Sequence, residues 1–148
     1  MPLGEKLYEE SGKVLGFKVT RVHPVEGTTM EASFTSEIKG FGKFPSGRNI
    51  GSGIMTLYPH GVIDASHLGT LMTAAATAEE EEGEQYMWWA HEKLKLADGG
   101  KKMKGMIIGS GFTNSQKLSW MNALLVAGES EFDPATQQFR VTAMSGYR

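Results

Sequence analysis

The chain has 148 residues and no cysteine. That length suits one domain with a sizeable core, and the missing cysteines exclude disulfides, thiolate metal sites and a cysteine nucleophile. Lys and Arg number 15 against 17 Asp and Glu, a formal net charge of −2, so nothing favours a polyanion and no nucleic-acid partner is expected.

No run approaches the ~18 apolar residues of a membrane span. Met1 to Ser11 carries Glu5, Glu9 and Glu10 without the apolar stretch of a secretory signal. A cytoplasmic protein with no membrane partner is therefore expected. Residues 1–148 read as one domain, with 1–12 as a tail or short helix.

Alternation of apolar and polar residues then marks the elements in order. Val14 to Val22 places Leu15, Phe17 and Val19 on one face, and His23-Pro24-Val25-Glu26-Gly27 reads as a hairpin connection. From Met30 to Phe41 the pattern is cleanest, with Met30, Ala32, Phe34 and Ile38 against Glu31, Ser33, Thr35, Glu37 and Lys39. Phe44-Pro45-Ser46-Gly47 turns the chain into a strand from Asn49 to Tyr58. Tyr58-Pro59-His60-Gly61 then leads into Val62 to Thr73.

Ala74 to Glu82 breaks the pattern. It reads as a long solvated hairpin loop, with a helical turn as the alternative, since Ala and Glu are good helix formers. Glu84 to Leu96 follows, then Asp98-Gly99-Gly100 as a hairpin turn, then strands at Lys102 to Phe112, Ser119 to Glu131 and Gln137 to Met144. Eight such segments joined by short turns predict an all-β domain, an antiparallel meander closing into an eight-stranded β-barrel. The 19 glycines fit strands that bend or crowd at barrel corners.

The aromatic segment holds the most suggestive chemistry. On a strand, Tyr86, Trp88, Ala90, Glu92, Leu94 and Leu96 share one face. A carboxylate on such a face is desolvated if the face lines the barrel, which raises its pKa toward the range of a general acid or base. Glu92 is thus the candidate catalytic residue. The competing reading pairs it with a Lys or Arg of a neighbouring strand or places it near a barrel mouth.

Trp88 and Trp89 point to opposite faces, so at least one faces outward, where a Trp beside Met87 marks either a subunit interface of a homo-oligomer or a single exposed aromatic. His23, His60, His67 and His91 are scattered without metal-ligand spacing, so no metal is expected. His67, on the face of Ile63, Ala65 and Leu71, reads as a hydrogen-bonded core histidine. Gly51-Ser52-Gly53 and Gly109-Ser110-Gly111 lack the Walker lysine and a following helix, so neither is a phosphate loop and no cofactor is expected. Trp120, Asn122 and Leu124 share a face of their strand, placing a carboxamide among apolar groups. Asn122 there either contacts a ligand or is satisfied by a backbone bend.

The order of turns, the segments FPSGRNIGSG and LYPHGVIDASHLGTL, and the ending EFDPATQQFRVTA together resemble the allene oxide cyclase-like barrels, a superfamily similar in shape to the calycins. The likeness spans about Lys13 to Met144 and rests on layout. It implies a cavity for a small apolar or amphipathic molecule, in some members steered into one cyclised product mainly by shape. The expected ligand contacts are Met30, Phe34, Tyr86, Trp88, Trp120, Asn122 and Leu124, with Glu92 as the acid–base group of a cofactor-independent isomerase or cyclase. The alternatives are a non-catalytic carrier and a ligand-free structural homo-oligomer.

Overall fold

A computed structural model describes residues 4–74 and 83–146. Eight antiparallel strands follow one another around a closed barrel: β1 (Lys6–His23), β2 (Gly27–Gly40), β3 (Gly47–Leu57), β4 (Val62–Thr73), β5 (Gln85–Ala97), β6 (Lys102–Phe112), β7 (Val126–Asp133) and β8 (Gln138–Ser145). Each strand pairs with its sequence neighbours, and β8 returns to β1 from Lys6↔Met144 to Lys13↔Gln138. Closure leaves no exposed edge over that span. The expectation for Ala74 to Glu82 falls outside the described residues except at Ala74, whose N–H donates to the Ser46 carbonyl.

Three expectations need correction. Residues 6–12 are neither tail nor helix but the first half of β1, which the ladder to β8 holds in place. Leu15, Phe17 and Val19 do not form a buried face: they are 62%, 40% and 56% exposed. The reason is length, because β1 runs on to His23 whereas β8 pairs with it only as far as Lys13, and bulges at Val14/Gly16 and Val19/Arg21 shift the register. Finally, Ser119–Ala123 is a 3₁₀ helix and β7 begins only at Val126. Leu118, Met121 and Leu124 recur every third residue, the period at which a 3₁₀ turn stacks side chains on one side, and all three are buried.

That turn closes one end of the barrel. Met121 is fully buried, in one apolar cluster with Leu7, Phe44, Leu71 and Tyr86. A second cluster, Ile63, Ala65, Leu94 and Met103, fills the barrel toward the opposite end. Between the two lies a belt of buried or nearly buried polar groups, Glu10, Ser36, Asn49, His67, Glu92 and Ser130.

Glycines make room for the rings that wall this interior. A Cβ at Gly51 would lie 2.6 Å from the Phe34 ring, and one at Gly69 would lie 2.6 Å from the Trp88 ring. Phe34 consequently sits at the centre of an aromatic group, 5.7 Å from His67, 6.0 Å from Trp88 and 5.6 Å from Phe139 between ring centroids.

Candidate functional site: a polar belt inside the barrel

The belt surrounds a cavity of about 110 Å³. A single water needs only ~10–15 Å³, so the space takes several waters or one small organic molecule. Its walls include Tyr8, Glu10, Phe34, Asn49, His67, Tyr86, Trp88, Glu92 and Phe139. Tyr8 and Glu10 come from β1, Asn49 from β3, His67 from β4, and Tyr86, Trp88 and Glu92 from β5. Strand alternation turns all of them inward.

Glu92 faces inward, as the pattern of its strand suggests, and its partner is a histidine rather than a Lys or Arg. Its Oε1 lies 2.7 Å from His67 Nε2, and both side chains are 11% exposed. His67 Nδ1 is buried with no partner and lies over Gly53, where a Cβ would come within 2.2 Å of it. The ring is therefore held through Nε2 alone, by its hydrogen bond with Glu92.

Glu10 lies in the same belt. Its Oε2 accepts hydrogen bonds from Ser36 Oγ at 2.5 Å and Asn49 Nδ2 at 3.1 Å, and Asn49 Oδ1 in turn accepts from Trp88 Nε1 at 3.0 Å. Burial raises the Glu10 pKa above the usual carboxylate range, against the lowering effect of those two bonds, and the negative charge of Glu92 raises it further. Burial also pushes the Tyr86 phenol up to about 12, and its hydroxyl donates to the Met121 carbonyl of the cap at 3.4 Å.

Neither Oε1 of Glu10 nor Oε2 of Glu92 has a hydrogen bond from the described residues. Two carboxyl groups thus line one small cavity, each with an oxygen to spare. Among the described residues no group of three His, Asp or Glu is arranged to hold a metal ion.

Of the residues singled out from the sequence, Phe34, Tyr86, Trp88 and Glu92 line the cavity, whereas Met30, Trp120, Asn122 and Leu124 do not. Met30 stands on the inner side of β2 but further along the hairpin than Ala32. Trp120 packs edge-on against Phe44 in the cap, and Leu124 is buried in the same cluster. Asn122 is exposed and clamps a loop: its Oδ1 accepts from the Thr113 N–H at 2.7 Å and its Nδ2 donates to the Thr113 carbonyl at 3.1 Å. The backbone bend, not a ligand, satisfies it.

Sequence reasoning missed Glu10, Ser36 and Asn49 as belt residues. The signal for Glu10 is an extension of β1 upstream, with Tyr8, Glu10, Gly12 and Val14 at every second position, which adjacent Leu7 and Glu9 obscure.

On the outside of β4 and β5, Ser66 Oγ lies 3.1 Å from His91 Nδ1, and His91 Nε2 lies 2.9 Å from Asp64 Oδ1. The order Ser–His–Asp matches a nucleophilic triad. Around Ser66, however, the backbone is paired in both the β3–β4 and β4–β5 ladders. No backbone N–H there can stabilise an oxyanion, the term such catalysis depends on most. The group is a surface hydrogen-bond chain.

No protein-family model matches the chain, and no curated protein does. Similar solved structures share the architecture. A β-barrel-like protein from Acinetobacter baumannii AYE has a TM-score of 0.78 at 14% identity, covering 98% of this chain and 96% of its own. A protein of unknown function from Clostridium acetobutylicum has a TM-score of 0.77 at 13% identity, covering 95% and 96%. An enzyme from Penicillium herquei has a TM-score of 0.62 at 12% identity, covering 97% and 96%. At such identities the likeness is one of fold, and this chain is an antiparallel closed eight-stranded β-barrel.

Proposed function

We propose that the barrel interior binds a small apolar or amphipathic molecule and, through Glu92, Glu10 and His67, moves a proton on it as a cofactor-independent isomerase or cyclase. The observation that carries this reading is the pair of buried carboxyl groups, each with an unbonded oxygen, on one unfilled aromatic cavity. Burying ionisable groups costs free energy that a barrel of this size could avoid with apolar side chains, and perturbed titratable groups in a cavity mark functional sites. The resemblance to allene oxide cyclase-like barrels supports the same reading, and so does an enzyme among proteins of this fold.

The division of labour follows from the two environments. Glu92, oriented by His67, accepts a proton from carbon. Glu10, whose burial favours the protonated form, donates a hydrogen bond to the oxygen on which negative charge develops. Return of the proton to a different atom completes an isomerisation without oxidant, reductant or metal. Phe34, Trp88 and Phe139 hold the apolar body of the molecule in place.

Native mass spectrometry after mild purification tests the binding, and the molecule it releases becomes the substrate for the second step. Glu92→Gln should leave binding within a few-fold and abolish turnover. Binding without turnover in the parent protein would make it a carrier. An empty barrel that takes up no small molecule would end the reading altogether.

A further inference from the structure

The outer side of β3 to β6 is the second unusual feature of the molecule. The ladders align three rows across these strands: Ile50, Thr70, Met87 and Phe112; then Ser52, Leu68, Trp89 and Ser110; then Ile54, Ser66, His91 and Ile108. None of these positions holds Asp, Glu, Lys or Arg. Ile50, Leu68, Met87, Trp89, Ile108 and Phe112 are 53%, 63%, 46%, 57%, 55% and 46% exposed.

With Ile54, Met72 and Met106 at its margins, the face exposes on the order of 1,000 Å² of apolar side chain, where the largest patch on a soluble monomer is ~300–600 Å². It also passes the ~800 Å² that each partner contributes to a standard interface.

The geometry points to this face as a self-association surface whose occupant is a second copy of the chain. Three observations favour that occupant. The area is what a stable dimer needs. The composition of the three rows, with Trp, Met, Phe and Ile present, a single histidine and no Asp, Glu, Lys or Arg, is that of a subunit interface core. The cover must also be present whenever the chain is, because a face of this size left bare aggregates, and another copy is made at equal concentration by the same synthesis.

Two such faces stack about a twofold axis near the Leu68–Trp89 pair, at the ~10 Å spacing of packed sheets. A lipid surface is the rival occupant. The other half of the barrel argues against immersion, since it turns Lys13, Glu31, Glu37 and Lys39 outward, all exposed. A spanning barrel needs an apolar band all round.

The full chain in light scattering coupled to size exclusion, at micromolar concentration, should give twice the 16.1 kDa protomer mass or a higher multiple. The double variant Leu68→Glu/Trp89→Glu should fall to one protomer mass with an unchanged far-ultraviolet dichroism spectrum. Should that variant not fold, Ser52→Arg places a charge at the β3 edge of the face, directly beside Leu68, without removing any packing and should do the same. Thr142→Arg, exposed on β8 on the far side of the barrel from β4 and β5, should leave the parent mass intact. A monomeric parent overturns the proposal, as does an assembly that survives Ser52→Arg. A monomer that floats with phosphatidylglycerol vesicles would assign the face to lipid instead.

Discussion

The two sides of β4 and β5 carry chemistries opposite to those of an ordinary soluble sheet. Inward, these strands place His67 and Glu92 in hydrogen-bond contact beside the Trp88 ring. Outward, one residue along, they place Leu68 and Trp89 in the open at 63% and 57% exposure. Strict alternation is present on both strands, yet the polar groups at this level are enclosed and large apolar groups are not. Where a barrel departs from apolar-in and polar-out, each departure carries a cost, and each marks a place where something other than the chain's own folding is served. Inside, the proposed occupant is a ligand; outside, it is a second copy of the chain.

Truncations of matched kind on the two sides break this comparison most sharply. Phe34→Ala, in the aromatic centre, should lower stability by ~3–5 kcal/mol in urea unfolding, the cost of losing a buried ring and leaving a void. Trp89→Ala, equally large but outward, should cost the isolated protomer no more than ~0.5 kcal/mol at dilutions where it is monomeric. Comparable losses at both positions would mean that the two sides are not as different as their exposure indicates.

Next in size is the effect of Glu10. Its folded pKa lies above its unfolded value, so the folded state holds the proton more tightly. The stability contributed is complete below the ordinary carboxylate range and is lost as pH rises through the raised folded value. The melting temperature should therefore fall on that side, and Glu10→Gln, which keeps an acceptor for Ser36 and Asn49, should flatten the profile. Above the titration the variant should be the more stable by roughly 1–3 kcal/mol, the cost of a buried charge left without full compensation. An unaltered profile in Glu10→Gln would remove Glu10 as its source.

Smaller still is Asn122→Ala. It removes two hydrogen bonds to Thr113 at the start of the cap connection, and about 1 kcal/mol of stability should go with them. Ligand retention in native mass spectrometry should be unchanged, whereas a loss of bound ligand with normal stability would return Asn122 to the cavity. The smallest expected effect belongs to the outer charged half. Arg48→Ala breaks a 3.1 Å pair with Glu37 in which the two side chains are 70% and 75% exposed, and exposed pairs contribute ~0–1 kcal/mol.

Most of the barrel was legible from the chain. Six of the eight strands lie close to where alternation and turn residues put them, because hairpin connections and a two-residue period are local properties. β1 was read only from Val14, eight residues after its start at Lys6. The strand expected from Ser119 failed for a local reason too: Trp120, Asn122 and Leu124 alternate by chance, while the three-residue repeat of Leu118, Met121 and Leu124 describes the 3₁₀ cap. The site was legible only in part. Glu92, Tyr86, Trp88 and Phe34 declared themselves as one face each of their strands, but His67 and Glu10 looked like a core histidine and an acidic tail.

By itself, then, the sequence determined the class of fold, the number of strands and which side chains travel together on each strand, since backbone geometry makes those choices residue by residue. Which side became the inside was decided by closure. Only when β8 pairs with β1 do Glu10, Asn49, His67 and Glu92, drawn from four strands, come to surround one space. The pairing of Glu92 with His67, the burial that lifts the Glu10 pKa and the continuity of the bare outer face are all consequences of that register. They depend on cross-strand neighbours far apart in the chain, and no local pattern carries them.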